Sequence, residues 1–529
     1  MRKLLIVSLL LLAVAALFAQ TEKMASGIVF HDLNDNGTKD SNEPGISGVA
    51  VSNGVDVVLT DKDGKYQIPV SNDAIIFVIK PGEYKYPVNE FMLPQFYYIH
   101  KPEGSPEQEY PGVKPTGALP KSIDFGLLAG NDSEKFRIVV FSDPQTYSLD
   151  EIGYYDKGIV EELIGVEAAE FGITLGDIVG DRLDFFEPIN KATSRIGLPW
   201  FHVMGNHDIN FDADSQLSAD ETFSSVFGPA NYAFNQGKVH FVVLDNVFYP
   251  NTYNDKRYVG GFREDQFLFV KNTLEHVPND HLVVISTHIP LFNEYPFGET
   301  FIDEHLVRLF EILEDRPYTL SLSGHTHTQR HHYFTEKDGW LQEHPHHHYN
   351  MATASGDWWS GKKDENGIPD AVMRDGSPKG YTFINFDGNT YTYDFKAAGH
   401  SEDYKMRLYG PKLVPYNFRY RGEFFVNFFQ GSENCQVEYK INEEEWRLMR
   451  YAIEQDPYIS ALRYVWDYAT SLPEGVRPSN PVYSHHLWKT RFTSSGLPLG
   501  TNTFFVKVTD KFGREYYDQM DFEVVEVEQ

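Results

Sequence analysis

The chain has 529 residues, a hydrophobic share of 41%, an aromatic share of 15% and a formal net charge of −30. A chain of this length is expected to fold into about two to four domains, and its apolar share excludes a wholly disordered protein. The acidic excess argues against nucleic acid as a partner, because Lys and Arg hold phosphate backbones. A small anionic substrate remains compatible with this charge if bound cations reverse the local field.

The first 19 residues predict a secretory signal peptide. Arg2 and Lys3 precede one apolar stretch, and the small residue Ala19 precedes Gln20. The stretch is short for a membrane span and lies at the N-terminus of the sequence; an uncleaved anchor is the alternative. No later stretch is long and apolar enough to cross a bilayer. We therefore expect no stable membrane span after signal cleavage.

The cysteine content indicates the cellular compartment of the protein. Cys435 is the only cysteine, so the chain cannot form an internal disulfide. Export without disulfides indicates a bacterial periplasm or cell surface, where metal sites can cross-link a fold instead. The predicted location is therefore periplasmic or at the surface of a bacterium.

Residues 20–130 are predicted to form an all-β domain. Short apolar runs such as SGIVF, KYQIPV and IIFVIK are separated by Gly, Asn and Asp, which favours strands joined by turns. A stretch dense in Pro and Gly follows over residues 97–134 and indicates a domain boundary near residue 130.

One loop of this domain has the spacing of a calcium-binding loop. Residues 32–43 place oxygen donors at alternate positions, Gly37 at the sixth and Glu43 at the twelfth. Flanking strands exclude a true EF-hand, and a solvated Asn/Asp turn is the alternative. The segment resembles calcium-binding B-type repeats and transthyretin-like modules of surface proteins. The candidate ligands of a structural calcium ion are Asp32, Asn34, Asn36, Thr38, Asp40 and Glu43.

Residues 131–395 have the pattern of an α/β domain. Apolar runs typical of strands alternate with stretches at 155–171, 263–277 and 303–315 that place apolar residues three and four apart. Such alternation predicts a sheet covered by helices. After about residue 395 the alternation stops, and residues 396–529 predict a C-terminal β-sandwich with one helical insert near residues 442–455.

Six apolar runs in the middle of the chain end in residue types that bind metals. The carboxyl ends of strands in open α/β sheets are where ligands collect. We therefore expect these side chains to hold one or two divalent cations. They are Asp143 and Gln145, Asp177 and Asp181, Asn206, His207 and Asp208, Asp245, His288, and His325 and His327.

The order of these motifs, Asp-Pro-Gln, GDxxxD, GNHD, a lone His and GHxH, resembles the calcineurin-like metallophosphoesterase family over about residues 135–395. It is similar to an exported bacterial branch with N-terminal and C-terminal β domains. The resemblance implies a central β-sandwich flanked by helices (αββα). It also implies a first metal held by Asp143, Gln145, Asp177 and His327, and a second metal held by Asp177, Asn206, His288 and His325.

The resemblance further implies that His207 is not a ligand. It is the candidate to protonate the leaving oxygen, with Asp208 orienting its ring. Imidazole and carboxylate together suit Mn, Fe or Zn better than Mg or Ca. A water between two such cations ionises near neutral pH and can attack phosphorus. Gln145 departs from the family, whose usual ligand there is His, so the first metal is expected to bind more loosely or to be a harder ion.

Other residues near the motifs have open roles. The histidines 344 and 346–348 predict either a second metal site or, preferably, a loop beside the pocket. Trp358 and Trp359 either stack on a substrate ring or pack internally. The loop Asp375–Tyr381 is expected to shape the substrate pocket. Asp181 and Asp245 are expected to support the site without binding metal, and Arg182, Arg330 and Lys362 are candidate phosphate-binding cations.

The leading hypothesis is an exported, dinuclear-metal phosphoester hydrolase that acts on a small phosphorylated substrate. Monoesters and diesters both remain open. The first alternative is a phosphodiesterase that acts on lipid head groups or glycan-linked phosphate. The second is a surface binding protein with an inactive metallophosphoesterase domain. The sequence does not determine the oligomeric state.

Overall fold

The computed structural model describes residues 23–527, except residues 132, 167–168, 294–297 and 417–421. The predicted signal peptide at residues 1–19 lies outside the described residues. Within the described part of the chain, no helix has the length and apolar character needed to cross a membrane.

The N-terminal domain contains two four-stranded sheets, with strand orders β4-β1-β8-β6 and β3-β2-β5-β7. Alternating burial along β4 shows that one face of this strand packs inward while the other faces solvent. The strands are β1 (Met24–His31), β2 (Ala50–Ser52), β3 (Val57–Leu59), β4 (Lys65–Pro69), β5 (Ala74–Ile79), β6 (Tyr84–Lys85), β7 (Tyr97–His100) and β8 (Phe125–Ala129).

The central domain contains a five-stranded sheet of order β11-β10-β9-β20-β21 and a six-stranded sheet of order β12-β13-β16-β17-β19-β18. Its strands are β9 (Lys135–Phe141), β10 (Phe171–Leu175), β11 (Trp200–Val203), β12 (Tyr232–Gln236), β13 (Val239–Val243), β14 (Val247–Phe248), β15 (Val259–Gly260), β16 (Leu282–Ser286), β17 (Thr319–Ser323), β18 (Arg330–Phe334), β19 (His346–Asn350), β20 (Gly380–Asp387) and β21 (Thr390–Ala397). Its helices are α1 (Leu149–Tyr155), α2 (Phe186–Thr193), α3 (Glu221–Phe227), α4 (Glu264–Leu274) and α5 (Asp303–Ile312).

These two sheets pack face to face through aromatic rings. Phe171 on β10 lies 5.4 Å from Phe241 on β13, measured between ring centroids. On the outer faces, Tyr155 of α1 contacts Phe141 of the five-stranded sheet at 6.0 Å, and Phe310 of α5 contacts the six-stranded sheet. The arrangement is helix, sheet, sheet, helix, and the predicted fold class is confirmed.

Two of the three helices predicted in this domain coincide with α4 and α5. The stretch predicted as one helix over 155–171 differs. The helix begins earlier, at Leu149, because the Ser148 side chain caps the Glu151 amide at 3.3 Å. It then continues as a π-helical turn, Asp156–Val160, and a 3₁₀ turn, Glu161–Leu163.

The C-terminal domain pairs a four-stranded sheet, β22-β24-β28-β27, with a five-stranded sheet, β23-β30-β29-β25-β26. Its core is built from residues of both sheets, including Phe424, Trp488 and Phe504. The elements are β22 (Met406–Tyr409), β23 (Leu413–Pro415), β24 (Gly422–Phe428), β25 (Gln436–Ile441), β26 (Arg447–Leu448), β27 (Arg450–Gln455), α6 (Pro457–Asp467), β28 (Tyr483–Phe492), β29 (Gly500–Thr509) and β30 (Glu515–Val525).

The helical insert predicted near residues 442–455 lies later in the chain, at Pro457–Asp467. Residues 442–455 instead contain β26 and β27, and β27 pairs with β28 in antiparallel register. The helix starts only at Pro457, because the Asp456 carboxylate caps the amides of Tyr458 and Ile459 at 2.7 and 3.2 Å and Pro suits the first helical position. Sheet pairing across the domain therefore outweighs the local helical preference of 442–455.

Both flanking domains pack on the central one. One buried apolar cluster runs from the N-terminal domain into the central sandwich, with Phe77 5.8 Å from Phe269 of α4. On the other side, Arg514 Nη1 donates to Asp394 Oδ1 at 2.7 Å. The central domain is therefore supported by β modules from both ends of the chain.

Candidate metal centre

The predicted ligands follow the carboxyl ends of neighbouring strands. Asp143 follows β9, Asp177 follows β10, Asn206 follows β11, His288 follows β16, and His325 and His327 follow β17. Strands β9, β10 and β11 are parallel, as are β13, β16 and β17. These ends therefore lie at one edge of the sandwich, as parallel sheets require.

Three of these side chains form one group. His327 Nε2 lies 2.8 Å from Gln145 Oε1 and 3.7 Å from Asp143 Oδ1. The other ring nitrogen, Nδ1, lies 2.5 Å from the carbonyl oxygen of Gly356, to which it donates. This bond leaves the Nε2 lone pair directed at the two side-chain oxygens, which is the orientation a metal ligand needs.

The second group lies beside the first. His288 Nε2 is 3.0 Å from Asn206 Oδ1, 3.2 Å from Asp177 Oδ1 and 3.2 Å from His325 Nδ1. His288 Nδ1 donates to the Leu175 carbonyl at 2.7 Å. Burial lowers the pKa of His288, but Asp177 and Asp143 outweigh burial and raise it to about 9, so a cation would replace the proton at Nε2. Donor atoms of Asp177, His288 and His325 all lie within 4.8 Å of one another. Among the described residues, these three side chains form the group whose spacing could hold a metal ion.

The backbone around these groups is strained. Six residues of the motifs have positive φ angles in the left-handed region: Asp143, Gln145, Asp177, Asp181, His325 and His327, between 39° and 76°. Such angles are uncommon for residues with a Cβ and collect at functional sites. Two glycines permit this close approach. A Cβ on Gly324 would lie 1.9 Å from Ser142 Oγ, and one on Gly205 would lie 2.0 Å from the Asp177 amide nitrogen.

The protonation states of the candidate histidine and aspartate ligands are compatible with bound cations. Burial lowers the pKa of His325 and of His327 to about 3, so both rings are neutral. Burial raises the pKa of Asp177, but His288 and His207 outweigh it and hold that pKa below its usual value. Burial, opposed by His288 and reinforced by Asp177, raises the pKa of Asp143. A divalent cation would remove the mutual repulsion of these two buried carboxylates.

The donor set therefore fits a metal pair. His325 Nδ1 and His288 Nε2 face each other at 3.2 Å, with buried carboxylate oxygens around them. Divalent cations would balance the charge of these carboxylates better than protons on the rings. Asp143, Gln145 and His327 would hold one ion, Asn206, His288 and His325 the other, and the charge of Asp177 acts on both groups. The combination of imidazole and carboxylate donors favours Mn, Fe or Zn.

His207 lies beside the cluster, but Asp208 does not orient its ring, and that prediction is wrong. His207 Nδ1 is 2.7 Å from Asp181 Oδ1. The Asp208 carboxylate instead accepts the backbone amides of Ile178, Val179 and Gly205, at 3.1, 3.1 and 2.9 Å. Asp208 therefore joins the loops after β10 and β11, and Asp181 positions the histidine.

The other sequence candidates are placed by their contacts. Asp245 accepts the Val247 amide at 2.9 Å and pairs with Arg263 at 3.4 Å, away from the donor atoms. Trp359 is buried and its indole donates to the Pro144 carbonyl at 3.0 Å. Trp358 stacks on His327 with ring centroids 3.9 Å apart. Trp359 therefore supports the fold, and Trp358 covers the candidate ligand His327.

Three members of the histidine cluster, His346, His347 and His348, lie on strand β19 and not in the loop that the sequence favoured, whereas His344 precedes the strand. His346 Nε2 and His348 Nδ1 both lie 2.7 Å from Ser321 Oγ. Thr319 and Ser323 contact the remaining ring nitrogens of these two histidines at 2.8 Å. Hydroxyls of β17 therefore occupy the nitrogens of both rings, and the rings form a buried hydrogen-bond ladder that does not converge on a metal position.

The three cations suggested from sequence have other contacts. Arg182 pairs with Asp184, with two contacts at 2.9 and 2.6 Å. Arg330 stacks over the Phe292 ring at 4.3 Å, and Lys362 pairs with Glu474 at 3.7 Å.

A cavity of about 430 Å³ that opens beside His325 is lined by other cations, Lys256, Arg257 and Arg374. Lys256 and Arg257 lie on the segment between β14 and β15, and Arg374 precedes β20. No sequence motif identifies these three cations, because only the three-dimensional fold brings the two segments that carry them together.

Three family models match the chain. They describe the N terminal of calcineurin-like phosphoesterase at residues 33–111, calcineurin-like phosphoesterase at 136–329 and the C terminal of calcineurin-like phosphoesterase at 348–516. The fold and the site define a hydrolase of phosphoric ester bonds whose class uses two divalent metal ions. The chain belongs to the calcineurin-like phosphoesterase family and carries the N-terminal and C-terminal domains found with it.

Solved structures show weaker similarity. A dimetal phosphatase from Danio rerio is 14% identical, with a TM-score of 0.34, over 50% of this chain and 96% of that chain. The purple acid phosphatase PPD1 from yellow lupin (Lupinus luteus) seeds is 10% identical, with a TM-score of 0.35, over 71% of this chain and 66% of that chain. No curated protein matches the sequence.

Proposed function

We propose that this protein is an exported phosphoesterase that hydrolyses small phosphate esters at the site described above. The observation that carries the proposal is the meeting of seven donor side chains at one edge of the sandwich, with His207 beside them. When bound, two divalent cations supply charge that polarises the phosphoryl group and acidifies a water molecule. The donors are Asp143, Gln145, Asp177, Asn206, His288, His325 and His327.

The chain's own residues supply orientation and a proton. The His207 amide donates to Asp177 Oδ1 at 2.8 Å, which fixes the backbone of His207 against the donor cluster. Its ring is held from the Nδ1 side by Asp181. Burial lowers the pKa of His207, but Asp177 and Asp181 outweigh burial and raise it. A protonated ring can then transfer its Nε2 proton to the leaving oxygen.

The direct test is hydrolysis by the full-length protein. We expect p-nitrophenyl phosphate or its bis-ester to be hydrolysed in Mn²⁺ and the rate to vanish with a chelator. Asp177→Ala should abolish both hydrolysis and metal content, whereas Gln145→His, which installs an imidazole, should retain both. Activity on neither ester despite two bound metals would support the binding-protein alternative, and comparison of the two esters separates monoesterase from diesterase activity.

Export belongs to the same proposal. The support is the sequence of residues 1–19, which has two cationic residues, one apolar stretch and a terminal small residue. Expression in a Gram-negative host, followed by fractionation and N-terminal sequencing, should find the mature chain in the periplasm or at the surface, starting near Gln20. A chain that keeps Met1 in the cytoplasm contradicts export.

We also propose a structural calcium ion in the loop over residues 32–43. The support is the donor spacing and the fold of the loop. The Asp32 carboxylate accepts the amides of Asn34, Asn36 and Gly37 at 3.2, 3.3 and 2.8 Å. Asn34 Nδ2 lies 2.9 Å from Asp40 Oδ2, so these polar side chains turn inward on one loop.

Calcium should raise the melting temperature of the wild-type protein, and Asp32→Ala should remove that rise. Asp61→Ala is a matched control, because Asp61 also accepts two amides of its own turn, both at 2.9 Å, without the twelve-residue spacing. An unchanged melting temperature of the wild type in calcium would favour the solvated turn.

A further inference from the structure

The cavity beside His325 differs in charge from the protein as a whole. The chain has a formal net charge of −30, yet Lys256, Arg257 and Arg374 all line this space of about 430 Å³. A cavity lined by several cationic side chains on an acidic protein attracts anions.

Two of these side chains are restrained by contacts. The Arg257 guanidinium lies over the Phe211 ring, 3.5 Å from its centroid. Lys256 Nζ donates to the Glu299 carbonyl at 2.7 Å. Restrained cations lose less conformational entropy when they bind a ligand. They therefore form a partly preorganised wall of the cavity.

The loop of Arg374 is anchored by the C-terminal domain. The Val482 amide donates to the Arg374 carbonyl at 3.0 Å, and Asn427 Nδ2 donates to the next carbonyl, of Asp375, at 3.1 Å. The Asp375 carboxylate lies 3.0 Å from His486 Nε2. The C-terminal domain thus fixes the backbone of a residue that lines the cavity.

Aromatic rings connect the cavity to the metal ligands. The Tyr258 ring lies 5.9 Å from the His325 ring, and the Trp358 ring stacks on His327 at 3.9 Å. Both Tyr258 and Trp358 line the cavity. A planar group that extends from a phosphate at the metal site can therefore lie along these rings, with its far end among the cations.

We propose that the preferred substrate is a phosphate ester whose leaving group is a ring that carries a second anionic group, a carboxylate or a phosphate. This proposal rests on the phosphoesterase function proposed above. The scissile phosphate would lie at the donor cluster, the ring along Tyr258 and Trp358, and the second anion against Arg257 and Arg374.

Two isosteric esters test the charge of the group opposite the phosphate, and comparison of their rate ratio between wild type and variants removes the difference in leaving-group acidity. 4-Carboxyphenyl phosphate and 4-carbamoylphenyl phosphate differ in the charge of the group opposite the phosphate. We expect kcat/KM of the wild-type enzyme in Mn²⁺ to be about tenfold higher for the carboxylate, as for one charge-assisted hydrogen bond. 1,4-Phenylene bisphosphate, compared with the carboxylate, shows which anion the cavity prefers.

Charge-removing variants locate the effect. Arg257→Gln and Arg374→Gln should each lower the carboxylate-to-carboxamide ratio of kcat/KM several-fold toward one, because the loss falls mainly on the carboxylate ester. Lys271→Gln removes an equal charge from the exposed face of α4 and should leave the ratio unchanged. Melting temperature and manganese content confirm that each variant is folded and loaded.

Binding supplies a readout that is independent of turnover. 4-Carboxybenzylphosphonate should bind the manganese-loaded wild type about tenfold more tightly than its carboxamide analogue in calorimetry, and Arg257→Gln should remove the difference. A ratio near one in the wild type overturns the proposal while the phosphoesterase function stands. Equal losses on both esters in the variants also overturn it, because the arginines would then bind the scissile phosphate. Hydrolysis of no phosphate ester would instead reject the proposed function.

Discussion

His207 Nδ1 lies 2.7 Å from Asp181 Oδ1. Asp181 is the last residue of the GDxxxD motif, and it follows β10, whereas His207 follows β11. The contact therefore couples two strand ends, and it directs the second ring nitrogen of His207 away from the carboxylate. Because Asp181 is half-exposed, with 46% of its side chain accessible, a substitution at this position should not disturb the packed core.

This contact predicts different effects for substitutions of Asp181 and Asp208. Asp181→Asn should lower kcat about tenfold, because the ring loses the partner that orients it, with metal content unchanged. Asp208→Asn should instead destabilise the fold by about 2 kcal/mol, because one carboxylate oxygen that accepts an amide is replaced by an NH₂ group. Steady-state kinetics, elemental analysis and thermal unfolding of both variants distinguish these effects. A larger kcat loss in folded, metal-loaded Asp208→Asn would restore the role expected from sequence.

Gly324 is predicted to be irreplaceable for metal binding. A Cβ there would lie 1.9 Å from Ser142 Oγ and 2.4 Å from Asp143 Oδ2, so Gly324→Ala must displace a ligand or the strand end. We expect loss of bound manganese and of activity. Gly153→Ala is the control, because a Cβ at this position of α1 meets nothing within 4 Å; it should stabilise the protein by about 0.5–1 kcal/mol. Normal metal content in Gly324→Ala would contradict the packing argument.

The Asp375–His486 pair predicts an acid-dependent loss of stability. Burial raises the pKa of Asp375, but His486 and the amides of Gln329 and Ser377 outweigh burial and hold that pKa below its ordinary value of 3.8. A depressed folded-state pKa contributes stability above pH 3.8, and this contribution is lost as the pH falls through the folded-state value. Wild-type unfolding free energy should therefore fall below that pH.

Asp375→Asn should remove this pH dependence and lower the unfolding free energy at neutral pH by about 3 kcal/mol, because a buried pair loses one partner. Urea unfolding from pH 3 to pH 7 (roughly the range over which carboxylates titrate) measures both effects. A variant whose stability still falls with the wild-type slope would show that other carboxylates dominate.

The hydroxyl ladder of β17 and β19 predicts a cost in stability without a change in metal content. Ser321→Ala removes the hydroxyl that contacts both His346 and His348 and should destabilise the protein by about 1–3 kcal/mol. Ser286→Ala on the adjacent strand β16 is the control, because its buried hydroxyl has no hydrogen-bond partner among the described residues; it should be near neutral. A drop in bound metal in Ser321→Ala would revive the second metal site.

The sequence by itself determined the class of fold and predicted the candidate metal donors. Each donor follows an apolar run that forms a strand, and parallel strands place their ends at one edge, so a local pattern was sufficient. The ladder of His346 and His348 could not be found this way, because its partners are on β17, 25–27 residues earlier. Similarly, β27 replaced a predicted helix because its pairing partner, β28, lies in a later part of the chain.

Only the tertiary structure decided which aspartate contacts the His207 ring and which cations line the cavity beside His325. Asp208 is adjacent to His207 in sequence, but three backbone amides occupy its carboxylate, and Asp181 approaches from 26 residues away. Arg257 and Arg374 are more than a hundred residues apart and share a cavity with His325. Side-chain partners are chosen by distance and by competing hydrogen-bond donors in three dimensions, and residue spacing along the chain encodes neither.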